Sequence, residues 1–568
     1  MLLRPVKFFS DQKGRLIKVF VFGLIFSILL SILNLVMPAV LGKSVDILLS
    51  KESTSTVIRV LAVLFIIQFF TIIGNYSYTL WLYKENIHLY RILSMKVFGK
   101  ILMLNYSNFG SIPLNEYVTR MYNDTQNIAN LFPQEILAFL KDLFFIIGAS
   151  YILIARVPLL GVILLISLPL IYITIKGGLL IEKASSNFRV LQSNTTGKTL
   201  DPLYHFMPLK SYSVEDRALH FYGDSMRELN VGKYTYMKTV QFFSSLGNFI
   251  SGIMLLGAMV VLVFTYKGIT AGEIVMVLSI LSFWNSSSQN IASFFIKLRS
   301  LNPSIDKVSE ILNAEEENLE EGEEPSGYGI EFKDVFFSYN SREVLKGISF
   351  YIREGEKVAI VGRSGEGKST IVKLLLGLYS GYRGEIEFGG LEVKDIKKRR
   401  LRQLITYVPQ EPFIYPGTIR DNFLIIGEFS DGKVIEALEK AKLKDYILSL
   451  PQGLDTPVYS TNIFLSGGER QKFSIARAFL REEAKVIVLD ETSSQMDSVT
   501  EEEVYEAIEK LSKSKTLIVI AHRISTIARM ERIFVLEDGT VKDEGTHVDL
   551  SHRSELYRRL CELQMVGG

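Results

Sequence analysis

Six stretches within residues 1–300 are long and apolar enough to cross a bilayer: Leu16–Val40, Val57–Tyr83, Leu131–Ala155, Val157–Ile181, Val240–Tyr266 and Ile274–Leu298. About 20 apolar residues in helical form cover a hydrocarbon core ~30 Å thick. Lipid offers no hydrogen-bond partner, so each stretch must satisfy its own backbone as a helix. Hydrophobic residues make up 48% of the 568, which excludes a disordered, collagenous or coiled-coil chain. A net charge of +2 gives no global attraction for nucleic acid. The single cysteine, Cys561, excludes an internal disulfide, a cysteine-ligated zinc or an iron–sulfur centre. With no cysteine near the N-terminus, a built-in cysteine peptidase is not expected either.

Lysine and arginine set the orientation. The N-terminus carries Arg4, Lys7, Lys13, Arg15 and Lys18, and the long connections Lys84–Asn130 and Glu182–Thr239 are also basic. The opposite side holds only Lys43, Lys51, Arg156 and Lys267. The N-terminus, both long connections and the C-terminal half are therefore expected in the cytosol. Leu16–Val40 exceeds the usual signal-peptide core and lacks a good cleavage site, so it reads as a retained span. The long connections read as helical extensions turning near Asn105–Asn115 and Asp201–Pro208, where Gly110, Pro113, Pro202 and Pro208 interrupt them.

The spans hold few polar groups. Lys141 and Asp142 are expected at the cytosolic edge of the third span. The run Asn285–Asn290 beside Trp284 in the sixth either lines a polar path or bonds between helices. Asn313–Pro325 is rich in glutamate and reads as a solvated linker. The expected layout is a six-helix all-α membrane domain over 1–312, an acidic linker over 313–327, and an α/β domain over 328–568.

The C-terminal half carries the chemistry. The strand Val358–Val361 runs into Gly362-Arg363-Ser364-Gly365-Glu366-Gly367-Lys368-Ser369, and a helical pattern follows from Thr370. This is the P-loop pattern in its strand–loop–helix setting. Glycines turn backbone N–H groups toward phosphate oxygens, Lys368 faces the β- and γ-phosphates, and the Ser369 hydroxyl suits Mg2+. A second apolar strand, Lys485–Asp490, ends in Asp490 and Glu491, placed to contact a cation and to polarise a water. A third, Thr516–Ile520, leads to Ala521-His522. Leu465-Ser466-Gly467-Gly468-Glu469 opens another helix and offers a second phosphate-binding N-terminus.

Together these motifs resemble the nucleotide-binding domain of an ABC transporter. The whole chain is similar to an exporter-type half-transporter of the type IV arrangement, with a helical subdomain in its α/β P-loop ATPase domain. The resemblance implies ATP and Mg2+ as cofactors, with Tyr339 stacking on adenine and Gly362–Thr370 cradling the phosphates. Gln410 is then the Q-loop glutamine, Ser466, Gly467, Gly468 and Glu469 the signature, and Asp497 a D-loop acid. Ser369, Gln410 and Asp490 would hold the metal. Glu491 would be the catalytic base and His522 the switch histidine. Asn108–Asp124 is similar to the first coupling-helix region.

Three positions depart from the family pattern. Glu469 stands where Gln is commoner, Gln495-Met496 where Ala-Leu is usual, and Tyr459–Asn462 where exporters carry Gly-Glu-x-Gly. Family members close ATP between one chain's P-loop and another's signature, so a second half-transporter chain is implied, a homodimer before a heterodimer. The expected activity is ATP-driven export, or lipid flipping, of a peptide, lipid or amphipathic molecule by alternating access, in a bacterial inner membrane. An ATP-gated channel or regulator is the alternative. An importer is disfavoured by the fusion of the two halves.

Overall fold

The computed structural model describes residues 7–50, 54–110, 112–265, 270–340, 342–458, 465–490, 498–520 and 523–565. They fall into two compact units, Met1–Leu104 with Asn108–Glu315, and Asn105–Ser107 with Glu316–Gly568.

The first unit holds six long helices: α1 (Lys13–Leu49), α2 (Thr54–Leu102), α3 (Leu114–Arg156), α4 (Leu160–Tyr204), α5 (Glu215–Thr265) and α6 (Ala271–Ser300). Among the described residues, four are long and apolar enough to cross a membrane: α1 extended to Ser10, α2, α3 and α5 up to Val263. Side chains over 162–175 in α4 lie outside the described set. The polar run Asn285–Asn290 lowers the hydropathy of α6.

Helix α3 starts well before the apolar stretch that announced it. It absorbs two wide π-helical turns, Arg120–Asp124 and Leu131–Ile136. Pro133 sits in the second, where widened hydrogen bonding tolerates its missing N–H. Hydroxyls inside the apolar helices bond back to their own turns, as with Ser31 to the Ser27 carbonyl and Thr71 to that of Ile67.

Between helices the polar contacts are few and specific. Arg15 of α1 forks onto Glu85 of α2 at 2.9 and 3.1 Å. Ser27 meets the Tyr78 hydroxyl at 2.8 Å. At the far end of α1, Asp46 accepts from the Gly272 N–H and the Thr270 hydroxyl, both at 2.7 Å, and so caps α6. Gly272 permits that approach: a Cβ there would lie 2.0 Å from the Gly42 carbonyl oxygen. Helix α7 (Asn302–Asn313) closes the unit. Arg120, buried in the first wide turn of α3, ties down α7 through Glu310 at 2.7 Å.

The second unit is a layered α/β domain. Its six-stranded sheet contains β3 (Lys357–Gly362), β6 (Ile405–Val408), β7 (Val486–Asp490), β8 (Thr516–Ile520), β9 (Arg532–Glu537) and β10 (Thr540–Gly545). The spatial order is β10-β9-β3-β8-β7-β6, all parallel except β10 at the edge. A smaller antiparallel sheet joins β1 (Ile330–Tyr339), β2 (Arg342–Ile352), β4 (Arg383–Phe388) and β5 (Leu391–Glu392).

The period of two explains the layers. Val358, Ile360, Val486, Val488, Ile518 and Ile520 pack with the small sheet and with α8 (Lys368–Leu375). Ala359, Val361, Ile487, Leu489, Leu517 and Val519 face the opposite core. That core also takes the helical subdomain, including Phe423 of the helix Ile419–Leu424 and Phe473 of helix α9 (Gly467–Leu480). Burial on both faces is why these strands read as unbroken apolar runs.

The acidic stretch 313–327 is largely exposed, and from Glu317 onward it is also strapped along the second unit. Glu317 accepts a two-pronged bond from Arg402, and Glu320 pairs with Arg399. The Glu323 backbone exchanges hydrogen bonds with Asp395 and Lys397 at 2.8 and 3.1 Å. The basic helix Lys398–Leu404, next to β6, supplies the partners that the sequence run did not name.

Candidate functional site

Three parallel strands deliver the candidate residues to one edge of the sheet. β3 ends at Gly362 and opens into the Gly-rich loop, and β7 ends at Asp490, paired with Ile520 at the end of β8. Ligands of open α/β sheets bind at this carboxyl edge.

The loop needs its glycines. Gly365 and Gly367 have φ of +92° and +98°, the left-handed region that side chains rarely adopt. A Cβ on Gly367 would also stand 2.5 Å from Leu345 Cδ2. From Gly367 the chain enters α8, whose first residue is Lys368. The Lys368 side chain is buried, and its ammonium donates to the carbonyls of Gly362 at 2.8 Å and Arg363 at 2.9 Å. It is thus held across the mouth of its own loop. Arg363, Ser364, Gly365 and Ser369 are exposed, and Glu366 is half-buried, its carboxylate accepting from the Gly539 N–H. Thr370 is buried and meets the Tyr339 hydroxyl at 3.4 Å. The Tyr339 ring lies edge-on to Tyr379 at 5.5 Å, with the Lys373 ammonium 5.9 Å from its centre.

The Asp490 carboxylate is buried and accepts from the Tyr407 hydroxyl at 3.0 Å. Burial, then the adjacent Asp490 charge, pushes the Tyr407 phenol up, so it remains a neutral donor. Gln410 is exposed just beyond β6, and its backbone carbonyl accepts from Gln471 Nε2 at 2.8 Å. That bond ties the Q-loop segment to α9.

The start of α9 is a capping box. Glu469 N–H donates to Ser466 Oγ at 3.3 Å, and Ser466 N–H returns a bond to Glu469 Oε2 at 2.6 Å. Gly468 is buried, and a Cβ there would lie 2.4 Å from Thr500 Cγ2. Farther along α9, Arg477 is buried and stacks over Phe473 at 4.9 Å while donating to the Phe413 carbonyl. Burial pulls its guanidinium down to about 10.

Of the sequence-predicted residues, Glu491, Asp497 and His522 lie outside the described set, as do Tyr459–Asn462 and Gln495-Met496. Gly362–Thr370 and Asp490 gather at the sheet edge, while Ser466–Glu469 form a separate helix N-terminus. Sequence reasoning missed Tyr407, Gln471 and Arg477. Tyr407 stands in register with Val488, hence on the Asp490 face of the neighbouring strand, a pairing that no local sequence pattern supplies. The donors Ser369, Gln410 and Asp490 all present oxygen, which fits a hard divalent cation.

In the membrane unit, helical spacing divides the polar run of α6. Ser287 faces α3 and donates to Asp142 Oδ1 at 2.9 Å, and Trp284 Nε1 donates to Ser150 at 3.0 Å. Asn285, Ser288 and Gln289 line a cavity of about 250 Å³ with Phe243, Ser244 and Gly247 of α5. Both readings of the run therefore have residues behind them. Asp142, expected at the bilayer edge, is buried against α6.

A helical membrane unit fused to a P-loop domain with a second anion-ready helix N-terminus defines a membrane-bound ATPase of the transporter class. Family models agree: "ABC transporter" matches residues 345–494 and "ABC transporter transmembrane region" matches 20–288. The ABC transporter ATP-binding protein YfiB of Bacillus subtilis is 31% identical, over 82% of each chain. The lactococcin-A transport/processing ATP-binding protein LcnC of Lactococcus lactis is 29% identical, over 83% of this chain and 68% of its own. A bacterial Atm1-family ABC exporter with ATP bound superposes with a TM-score of 0.84 at 23% identity, over 96% of this chain and 98% of that one. The chain belongs to the ABC transporter family, in its exporter-type, fused half-transporter arrangement, and is an integral membrane protein.

Proposed function

We propose that two copies of this chain form an exporter that couples ATP hydrolysis to alternating access. The observation that carries the reading is that one chain holds one phosphate-cradling loop and one separate signature helix. Two composite sites then need two chains, each site closing ATP between Lys368 of one copy and Ser466 of the other.

In that site the loop N–H groups and Lys368 hold the phosphates, and the Ser466 hydroxyl and the α9 N-terminus cap the γ-phosphate. Tyr339 carries the adenine. Ser369, Gln410 and Asp490 would hold Mg2+, which supplies charge neutralisation to the transferred phosphoryl group. Glu491 polarises the attacking water and His522 steadies the γ-phosphate. Asp497 completes the facing edge. Closure around ATP turns an inward cavity outward, and hydrolysis resets it.

The cavity beside α6 supports an amphipathic cargo. Amides and hydroxyls of Asn285, Gln289, Ser244 and Ser288 alternate with the rings of Phe243 and Trp284, and among the described residues no ionisable side chain lines it. The relationship to LcnC, whose name gives lactococcin-A transport, supports a peptide of that character. The basic long connections support an ATPase domain in the cytosol, and the bacterial relatives support a bacterial inner membrane.

The test is ATP hydrolysis by the purified chain in lipid nanodiscs, beside Glu491→Gln. The reading expects basal hydrolysis, loss of turnover but retained ATP binding in the variant, and stimulation by one cargo class. Hydrolysis by Glu491→Gln at the wild-type rate would remove the base assignment.

A further inference from the structure

Strands β6 and β7 run parallel, with Tyr407 opposite Val488 and Val408 opposite Leu489. Tyr407 and Asp490 therefore share a face of the sheet, one diagonal step apart. The Tyr407 hydroxyl donates to Asp490 Oδ2 at 3.0 Å. Tyr407 is 39% exposed and Asp490 6%, so the ring reaches from the surface inward to a buried carboxylate. Three residues on along the chain stands Gln410, whose carbonyl is fixed by Gln471.

We infer that Tyr407 is a positioning residue for the ATPase reaction, orienting the Asp490 carboxylate toward the divalent cation that accompanies ATP. A carboxylate at a strand end rotates about its last bond. Fixing Oδ2 from one side sets where Oδ1 points. Groups that fix a metal ligand act on metal affinity even though they never touch the metal. The same short strand, Ile405–Val408, leads to Gln410 two residues beyond its end, so the orienting hydroxyl and the second proposed ligand lie close together in the chain. A ring kept only for packing would affect stability and leave metal affinity alone.

The inference rests on the proposed ATP site, and its test separates the two. Full-length wild type and Tyr407→Phe are placed in nanodiscs with a non-hydrolysable ATP analogue. Mn2+ is titrated in, and the free ion is followed by electron paramagnetic resonance. The phenyl ring is retained, so melting without nucleotide should fall only by the few degrees that loss of one hydrogen bond to a buried carboxylate costs. The Mn2+ dissociation constant should rise about tenfold, while analogue binding in EDTA stays at the wild-type value. In an Asp490→Ala background the same change should add nothing, because the carboxylate that the hydroxyl orients is gone.

Wild-type Mn2+ affinity in Tyr407→Phe would overturn the positioning role. So would a full additional loss in the Asp490→Ala background, or a loss of analogue affinity in EDTA equal to the loss of metal affinity. Failure of the wild-type chain to bind the analogue at all would remove the ATP-site reading together with the inference. Normal wild-type binding with an unperturbed variant would remove only the role of Tyr407.

Discussion

Glu469 stands where the family more often has glutamine, and the capping box predicts what that exchange is worth. Ser466→Ala deletes the acceptor of the Glu469 N–H bond at 3.3 Å and should cost about 1 kcal/mol. Glu469→Ala deletes the shorter return bond at 2.6 Å and the favourable charge at the helix N-terminus, about 1.5 kcal/mol together. Glu469→Gln keeps the return bond and loses only the charge, about 0.5 kcal/mol. A domain of this size shifts by roughly 2–4 °C per kcal/mol. The ATPase-domain transition of the full chain, followed by calorimetry in detergent, should therefore fall in the order Gln, Ser466→Ala, Glu469→Ala. Hydrolysis should separate from stability. Glu469→Gln should retain it, whereas Ser466→Ala should lose more than tenfold, because its hydroxyl also faces the γ-phosphate in the proposed dimer. A Glu469→Gln variant that melts as low as Glu469→Ala would refute the reasoning, since the box would then depend on charge and not on the bond.

Two further outcomes follow from the packing. Arg402→Met leaves Glu317 without its fork and removes donors to the Leu376 and Gly377 carbonyls, at a cost of about 2 kcal/mol for this partly exposed pair; hydrogen exchange should quicken over 316–325 and 398–404, and unchanged protection would mean that the strap contributes nothing. Ser287→Ala takes a donor from the buried Asp142 carboxylate and should cost about 2 kcal/mol, whereas Asp142→Asn keeps an acceptor and should cost less; thermal unfolding in detergent checks the order, and its reversal would contradict the α3–α6 contact.

What was legible in the sequence was local or periodic. The P-loop announces itself because φ > 0 at Gly365 and Gly367 demands glycine next to a strand end. The β3, β7 and β8 runs announce burial on both faces. Helix α6 was legible from its length, although its polar stretch dilutes the hydropathy that marks its neighbours. The start of α3 at Leu114 was legible, because Gly110 and Pro113 mark the turn before it, whereas its two wide turns were not, since no local pattern announces them. The acidic strap needed its partners from helix Lys398–Leu404, about 80 residues away in one ion pair, Glu320 with Arg399. Tyr407 needed the pairing of β6 with β7, which no local pattern supplies. Ser466-x-x-Glu469 has the spacing of a capping box as well as the resemblance to a signature, and one short sequence carries both.

The central claim is that ATP is closed between two copies of this chain. Complementation tests it most directly. Lys368→Ala and Ser466→Ala each disable both sites of their own homodimer, so each alone should hydrolyse almost nothing. In a mixed dimer one site pairs the intact loop of the Ser466→Ala copy with the intact signature of the Lys368→Ala copy. Differently tagged variants, co-expressed and purified through both tags in nanodiscs, should recover ATP hydrolysis well above either parent. A mixed dimer as inactive as its parents would contradict the composite site.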